Sequence, residues 1–106
     1  MVRRSQMVGW ADPSLLILGS LIDGPKHGYS ITADISDHAG TDLGPGTLYG
    51  ALARLEEQGL VEALPEDGPR RPYKITAAGI AILQSRLAAM RTFERVAFSR
   101  LKTALS

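Results

Sequence analysis

Apolar residues recur at helical spacing in four stretches of this chain, and the segments between them are rich in turn formers. The first stretch opens on Asp12-Pro13, an N-cap and a first helical residue, and carries Leu15, Leu16, Leu18, Gly19 and Ile22 to about Asp23, before a Gly24-Pro25 turn. The second runs from about His27 or Gly28 to His38, with Tyr29, Ile31, Ile35 and Ala39 as candidate core contacts and Gly40 as its stop. The third starts at Pro45; Leu48, Ala51, Leu52 and Leu55 form one stripe, Gly59 ends it and Leu60 folds back. Val61 to Leu64 then reads as a short strand, the 65–69 segment as a turn, and Pro72 to Ile75 as the returning strand. Thr76 caps a last helix, proline-free from Ala77 to about Leu105 and about 43 Å long at ~1.5 Å per residue.

This order predicts a mostly α protein with a small β-hairpin: an arm over residues 1–11, a winged helix-turn-helix over 12–75, and a long C-terminal helix over 76–106. The third helix would be the recognition helix. Opposite its apolar stripe lie Gly46, Gly50 and Ala53, with Thr47 and Arg54 on one flank and Tyr49 on the other. A mid-helix glycine costs up to ~1 kcal/mol against alanine, so Gly50 needs a reason. A bare face edged by a hydroxyl, a guanidinium and a phenol suits the major groove of DNA, where arginine reads guanine and hydroxyls reach bases or phosphates.

Charge sharpens this reading. The net charge is only +1, but it is unevenly spread. Between Asp12 and Asp67 the only Lys or Arg residues are Lys26 and Arg54; from Arg70 onward Glu94 is the lone acid. Arg70, Arg71 and Lys74 sit at the hairpin, where a wing would touch the DNA backbone or minor groove. The later cations, Arg86 to Lys102, read as a solvated helix face.

The last helix is too long for so small a core to cover. Ile80, Leu83, Leu87, Met90, Ala97 and Leu101 follow a heptad-like seam interrupted by Glu94, and Ile82, Ala89, Phe93 and Val96 widen it. The expected partner is a second copy, giving a symmetric homodimer with two wings facing one duplex. Met7, Trp10, Met90 and Phe93 could line an aromatic effector cavity at that interface, or simply pack. No cysteine is present, which rules out disulfides and thiolate metal sites and points to the cytoplasm. No apolar run approaches the ~20 residues of a membrane span, and no apolar stretch follows Arg3-Arg4 as a secretory signal would require. Neither histidine sits beside a recognisable nucleophile or carboxylate pair, so no catalysis and no cofactor are expected.

Several pieces together resemble the PadR-like transcriptional regulators. They are Leu16-Ile17-Leu18-Gly19, Gly24-Pro25-Lys26-His27-Gly28-Tyr29, Pro45-Gly46-Thr47-Leu48-Tyr49 with Ala51-Leu52, Arg54-Leu55-Glu56, Gly59-Leu60-Val61 and Arg71-Pro72-Tyr73-Lys74-Ile75-Thr76-Ala77-Ala78-Gly79. The resemblance spans about Leu15 to Ala81 and implies a dimer that binds an operator, usually represses, and in some members is released by a small effector. It also implies DNA contacts from Thr47, Tyr49 and Arg54, backbone support from Tyr29, and a wing served by Arg70, Arg71 and Lys74. Two positions depart from the family pattern: Gly50 stands where proline is common, and Ala53 where a basic or polar residue is frequent. The single C-terminal helix matches the smaller subgroup. The competing reading is a winged helix that binds a protein partner, as an interaction module or anti-repressor, without touching DNA.

Overall fold

A computed structural model describes residues 12–66 and 68–106. Met7 and Trp10 lie outside those residues, as does the expected N-terminal arm. The elements run α1 (Pro13–Ser20), β1 (Lys26–His27), α2 (Gly28–Ala39), α3 (Pro45–Glu57), β2 (Val61–Ala63), β3 (Pro72–Ile75) and α4 (Ala77–Leu105).

Local chemistry explains the boundaries. Asp12 caps α1 by accepting a hydrogen bond from the Ser14 amide at 3.0 Å, and Pro13 takes the first helical position. The helix ends at Ser20, shorter than the pattern suggested, and Leu21 to Asp23 continue as a turn. Lys26 fastens that turn, donating to the Ser20 carbonyl and to Asp23. Gly40, at φ 66°, closes α2 with its amide on the Ser36 carbonyl. At the end of α3, Gly59 adopts φ 75°; its amide bonds to Glu56 O at 3.0 Å and that of Leu60 to Leu55 O at 2.8 Å. This paired pattern satisfies carbonyls the helix would leave open and turns the chain sharply into β2.

The three strands form one antiparallel sheet in the order β1-β3-β2. Val61 pairs with Ile75, Glu62 with Lys74 and Ala63 with Tyr73; on the other edge Lys26 pairs with Tyr73 and His27 with Pro72. The core lies between α1, α2, α3, β2 and the start of α4. Ile17, Leu21, Ile31, Leu52 and Leu55 are its largest fully buried members, and Leu48, Ala51 and Val61 complete the floor under α3.

Two expectations need correction. Tyr29 is no core contact: it is 77% exposed, because the helical phase that turns Ile31 and Ile35 inward turns it out. Leu83 is not open seam: at 5% exposed it belongs to the core of its own domain. The rest of the expected seam is uncovered. Ile80, Leu87 and Leu101 are exposed, Phe93 is 74% exposed, and Met90 and Ala97 are half-buried. The molecule accordingly extends 58 Å along its longest axis against 21 Å along its shortest.

Candidate nucleic-acid interface

Helix α3 is mounted by one face only. Leu48, Ala51, Leu52 and Leu55 are buried in the core; Gly46, Thr47, Tyr49, Ala53 and Arg54 are exposed and Gly50 is half-buried. A Cβ on Gly50 would lie 3.6 Å from a terminal nitrogen of Arg54. The guanidinium therefore lies back over Gly50, as helix side chains lean toward the N-terminus. Among the described residues Arg54 has no ion-pair partner.

Tyr49 has two sides. A Cβ on Gly28 would come 2.4 Å from its hydroxyl and 2.9 Å from Cζ, so the ring tip rests against the first residue of α2, which is buried. About half of the tyrosine, 51%, remains exposed. The 21-residue separation hides this contact from any local pattern in the sequence.

Beside Tyr49 the wing closes a recess of about 340 Å³, lined by His27, Tyr29, Tyr49, Tyr73, Arg70 and Arg71 among others. The structure thus brings Tyr29, Tyr49, Arg70 and Arg71 to one place. Thr47, Gly50 and Arg54 share the adjoining helix, and Lys74 stays out of the recess. His27 and Tyr73 are additions that sequence reasoning missed; β1 carries the first in, and pairing with β1 carries the second. The His27 Nδ1 is shielded from solvent without a hydrogen-bond partner among the described residues. Burial, reinforced by the Glu56 carboxylate, pushes the Tyr73 phenol up from its ordinary value of 10.0, so it stays a neutral hydrogen-bond donor.

The wing cations are partly engaged within the hairpin. Arg71 stands 3.6 Å from Glu66 and Lys74 3.7 Å from Glu62, its cross-strand neighbour. All four side chains are largely exposed, where such pairs are worth ~0–1 kcal/mol and exchange readily for other anions. Arg70 has no ion pair among the described residues. The arrangement is a protruding bare helix face, a cationic wing beside it, and a phenol-lined recess between. No group of three or more acidic, histidine or cysteine side chains suited to a metal occurs among the described residues, and no helix there is long and apolar enough to cross a membrane.

The junction that holds these parts lies behind the wing. The Thr76 amide donates to the Leu60 carbonyl at 3.0 Å, and its hydroxyl donates to the Gly59 carbonyl at 2.7 Å while accepting from the Gly79 amide at 3.0 Å. One threonine thereby caps α4 and ties it to the end of α3. Gly79 completes the joint: a Cβ there would sit 2.2 Å from the Leu60 carbonyl oxygen.

Comparison with known proteins accords with this geometry. Residues 17–85 match the family model of the transcriptional regulator PadR-like family. The chain is 52% identical over 73 residues to an uncharacterised 37.1 kDa protein of a Streptomyces fradiae transposon, covering 69% of this chain and 21% of that one. It is 44% identical over 72 residues to a transcriptional regulator of Mycobacterium tuberculosis, covering 65% of this chain and 66% of that one. It therefore spans about a fifth of the first relative and just under two thirds of the second. Among solved structures it resembles Bacillus subtilis PadR in complex with operator DNA, at a TM-score of 0.63 and 25% identity over 70% of this chain and 46% of that one. With the family model matched across the core, α3, the wing and the start of α4, the chain belongs to the PadR-like family of transcriptional regulators.

Proposed function

We propose that this chain is a dimeric repressor that binds operator DNA in the cytoplasm through α3 and the wing and is released by a small effector. The observation that carries the DNA reading is the exposed, side-chain-poor face of α3, with Arg54, which has no ion pair among the described residues, laid over Gly50. Thr47, Tyr49 and Arg54 would enter the major groove, Tyr29 and Arg70 would hold the backbone, and Arg71 and Lys74 would trade their hairpin carboxylates for phosphates. A relative of the same fold has been solved on operator DNA, which supports the same docking here.

The exposed length of α4 supports dimerisation: Ile80, Leu87, Phe93 and Leu101 are exposed along it, and Met90 and Ala97 are half-buried. Met90 and Phe93 also line an open apolar trough of about 420 Å³ along the helix, which a second copy would convert into a cavity for a planar aromatic effector.

The test is a gel shift on DNA from upstream of the protein's own coding sequence, repeated across salt and with Arg54→Ala. A specific shift that weakens steeply with salt and is lost in the variant is expected. One observation favours the other reading, a protein-binding winged helix: Arg71 and Lys74 already face carboxylates of their own hairpin. A complete lack of shift at low salt would favour it.

A further inference from the structure

On the other flank of α3 lies a second recess, of about 250 Å³. Arg54 belongs to it, and Arg54 and Tyr49 stand about 140° apart around a helix of 3.6 residues per turn. Its polar rim consists of Asp12 and Ser14 at the head of α1, Arg54 and Gln58 on α3, and Arg86 on α4; its floor is leucine and isoleucine. Arg86 reads in the sequence as part of a solvated cationic face. The fold gives it another setting, because Thr76 and Gly79 clamp the start of α4 onto the end of α3.

Two arginines therefore share one rim. Neither forms an ion pair among the described residues. The one carboxylate on the rim, Asp12, has an oxygen engaged on the Ser14 amide. A rim with two arginines against one half-used acid calls for an anion, and guanidinium forks match phosphate oxygens. The anion must also be adjacent to whatever α3 docks on, since Arg54 serves both places. A helix in the major groove has one sugar-phosphate strand on each side, across ~12 Å. On the DNA-binding reading, the wing recess would face one of them.

We propose that Arg86, with Arg54 and Ser14, seats a backbone phosphate of the opposite DNA strand, so that α4 is a DNA-anchoring element as well as an oligomerisation arm. This rests on the DNA-binding reading above. Arg86 would act on register and affinity and leave base preference alone, because a phosphate carries no sequence.

The test is fluorescence anisotropy with the full chain on the upstream duplex and on a scrambled duplex, across a salt series. Arg86→Gln is expected to weaken binding about fivefold to tenfold on both duplexes and to lower the slope of log K against log salt by about two, one phosphate contact in each copy of the dimer. Arg86→Lys keeps the charge and should retain the wild-type slope. Arg91→Gln, further along α4, should bind as wild type. Thermal melts and mass by light scattering, run on the same samples, separate lost contact from lost fold. Wild-type affinity and slope in Arg86→Gln would overturn the proposal while leaving DNA binding intact, and so would weaker binding with an unchanged slope. A wild-type protein that binds neither duplex would overturn the DNA reading, and this seat with it.

Discussion

Gly28→Ala tests how Tyr49 is held. The new Cβ would lie 2.4 Å from the Tyr49 hydroxyl, 2.9 Å from Cζ and 3.2 Å from a methyl of Leu48. Non-bonded carbons settle at roughly 3.5–4.0 Å, so the ring tip must retreat by about 1 Å. Tyr49 is half exposed and can swing outward, which places the cost near the low end of the range for overpacking, about 1 kcal/mol. For a domain of this size that is a fall in Tm of roughly 4–8 °C. The displaced phenol leaves the wing recess, and operator affinity should fall about tenfold, equivalent to ~1.4 kcal/mol. Tyr49→Phe deletes the atom in closest conflict and leaves Cζ. On that background the same substitution should cost less than half as much, a coupling of about 0.5–1 kcal/mol. Melts at one fixed protein concentration and anisotropy titrations on all four proteins complete the cycle. Equal cost of Gly28→Ala with and without the hydroxyl would refute the bracket, as would a variant that melts and binds like wild type.

Gly79→Ala should be worse, by about 2–3 kcal/mol in a urea titration, because its Cβ meets the Leu60 carbonyl at 2.2 Å and backbone cannot swing aside. Gly46→Ala meets nothing within 4 Å and should gain about 0.5 kcal/mol in the same titration. Phe93→Glu and Leu101→Glu should reduce the mass seen by light scattering to that of one chain while the far-ultraviolet spectrum stays helical. The hydrogen bond and charge of Lys26 hold the Asp23 carboxyl below its ordinary 3.8. A depressed folded-state pKa gives stability that is present above the unfolded value and is lost as pH falls through the folded one. The gap in midpoint between wild type and Asp23→Asn should therefore be constant near neutrality and close below about pH 4.

The helices were legible because their ends carry chemistry: Asp12-Pro13, Gly40, Pro45, Gly59 and Thr76 stand where the chain turns. Strand β1 was not. Two residues cannot show an alternation, and Lys26 and His27 are a strand only because β3 offers them an edge 46 positions away. Tyr29 was misplaced because an aromatic at a helix start fits a core as well as a surface; the phase set by Gly28 decided it. Leu83 shares its spacing with both the core and the outer seam, and spacing cannot tell where along α4 the domain stops. The candidate site was legible as far as one helix carries it: Thr47, Gly50 and Arg54 stand off the core on the face the spacing predicted. Juxtapositions of distant segments, Tyr49 against Gly28 and Arg86 on the same recess as Arg54, needed the fold.

The Thr76 joint has a mechanical consequence. Two hydrogen bonds from Thr76 to the end of α3, and a glycine with no room for a methyl against Leu60, stiffen the junction between α3 and α4. The two helices would turn together, as a lever whose short end is the exposed face of α3. In a pair of copies, a tilt of about 5° over the ~43 Å of α4 displaces the opposite end by roughly 4 Å, which exceeds the ~3.4 Å step between base pairs. A small wedge between two such arms would shift one reading head by more than a base pair, with no loop or segment having to refold.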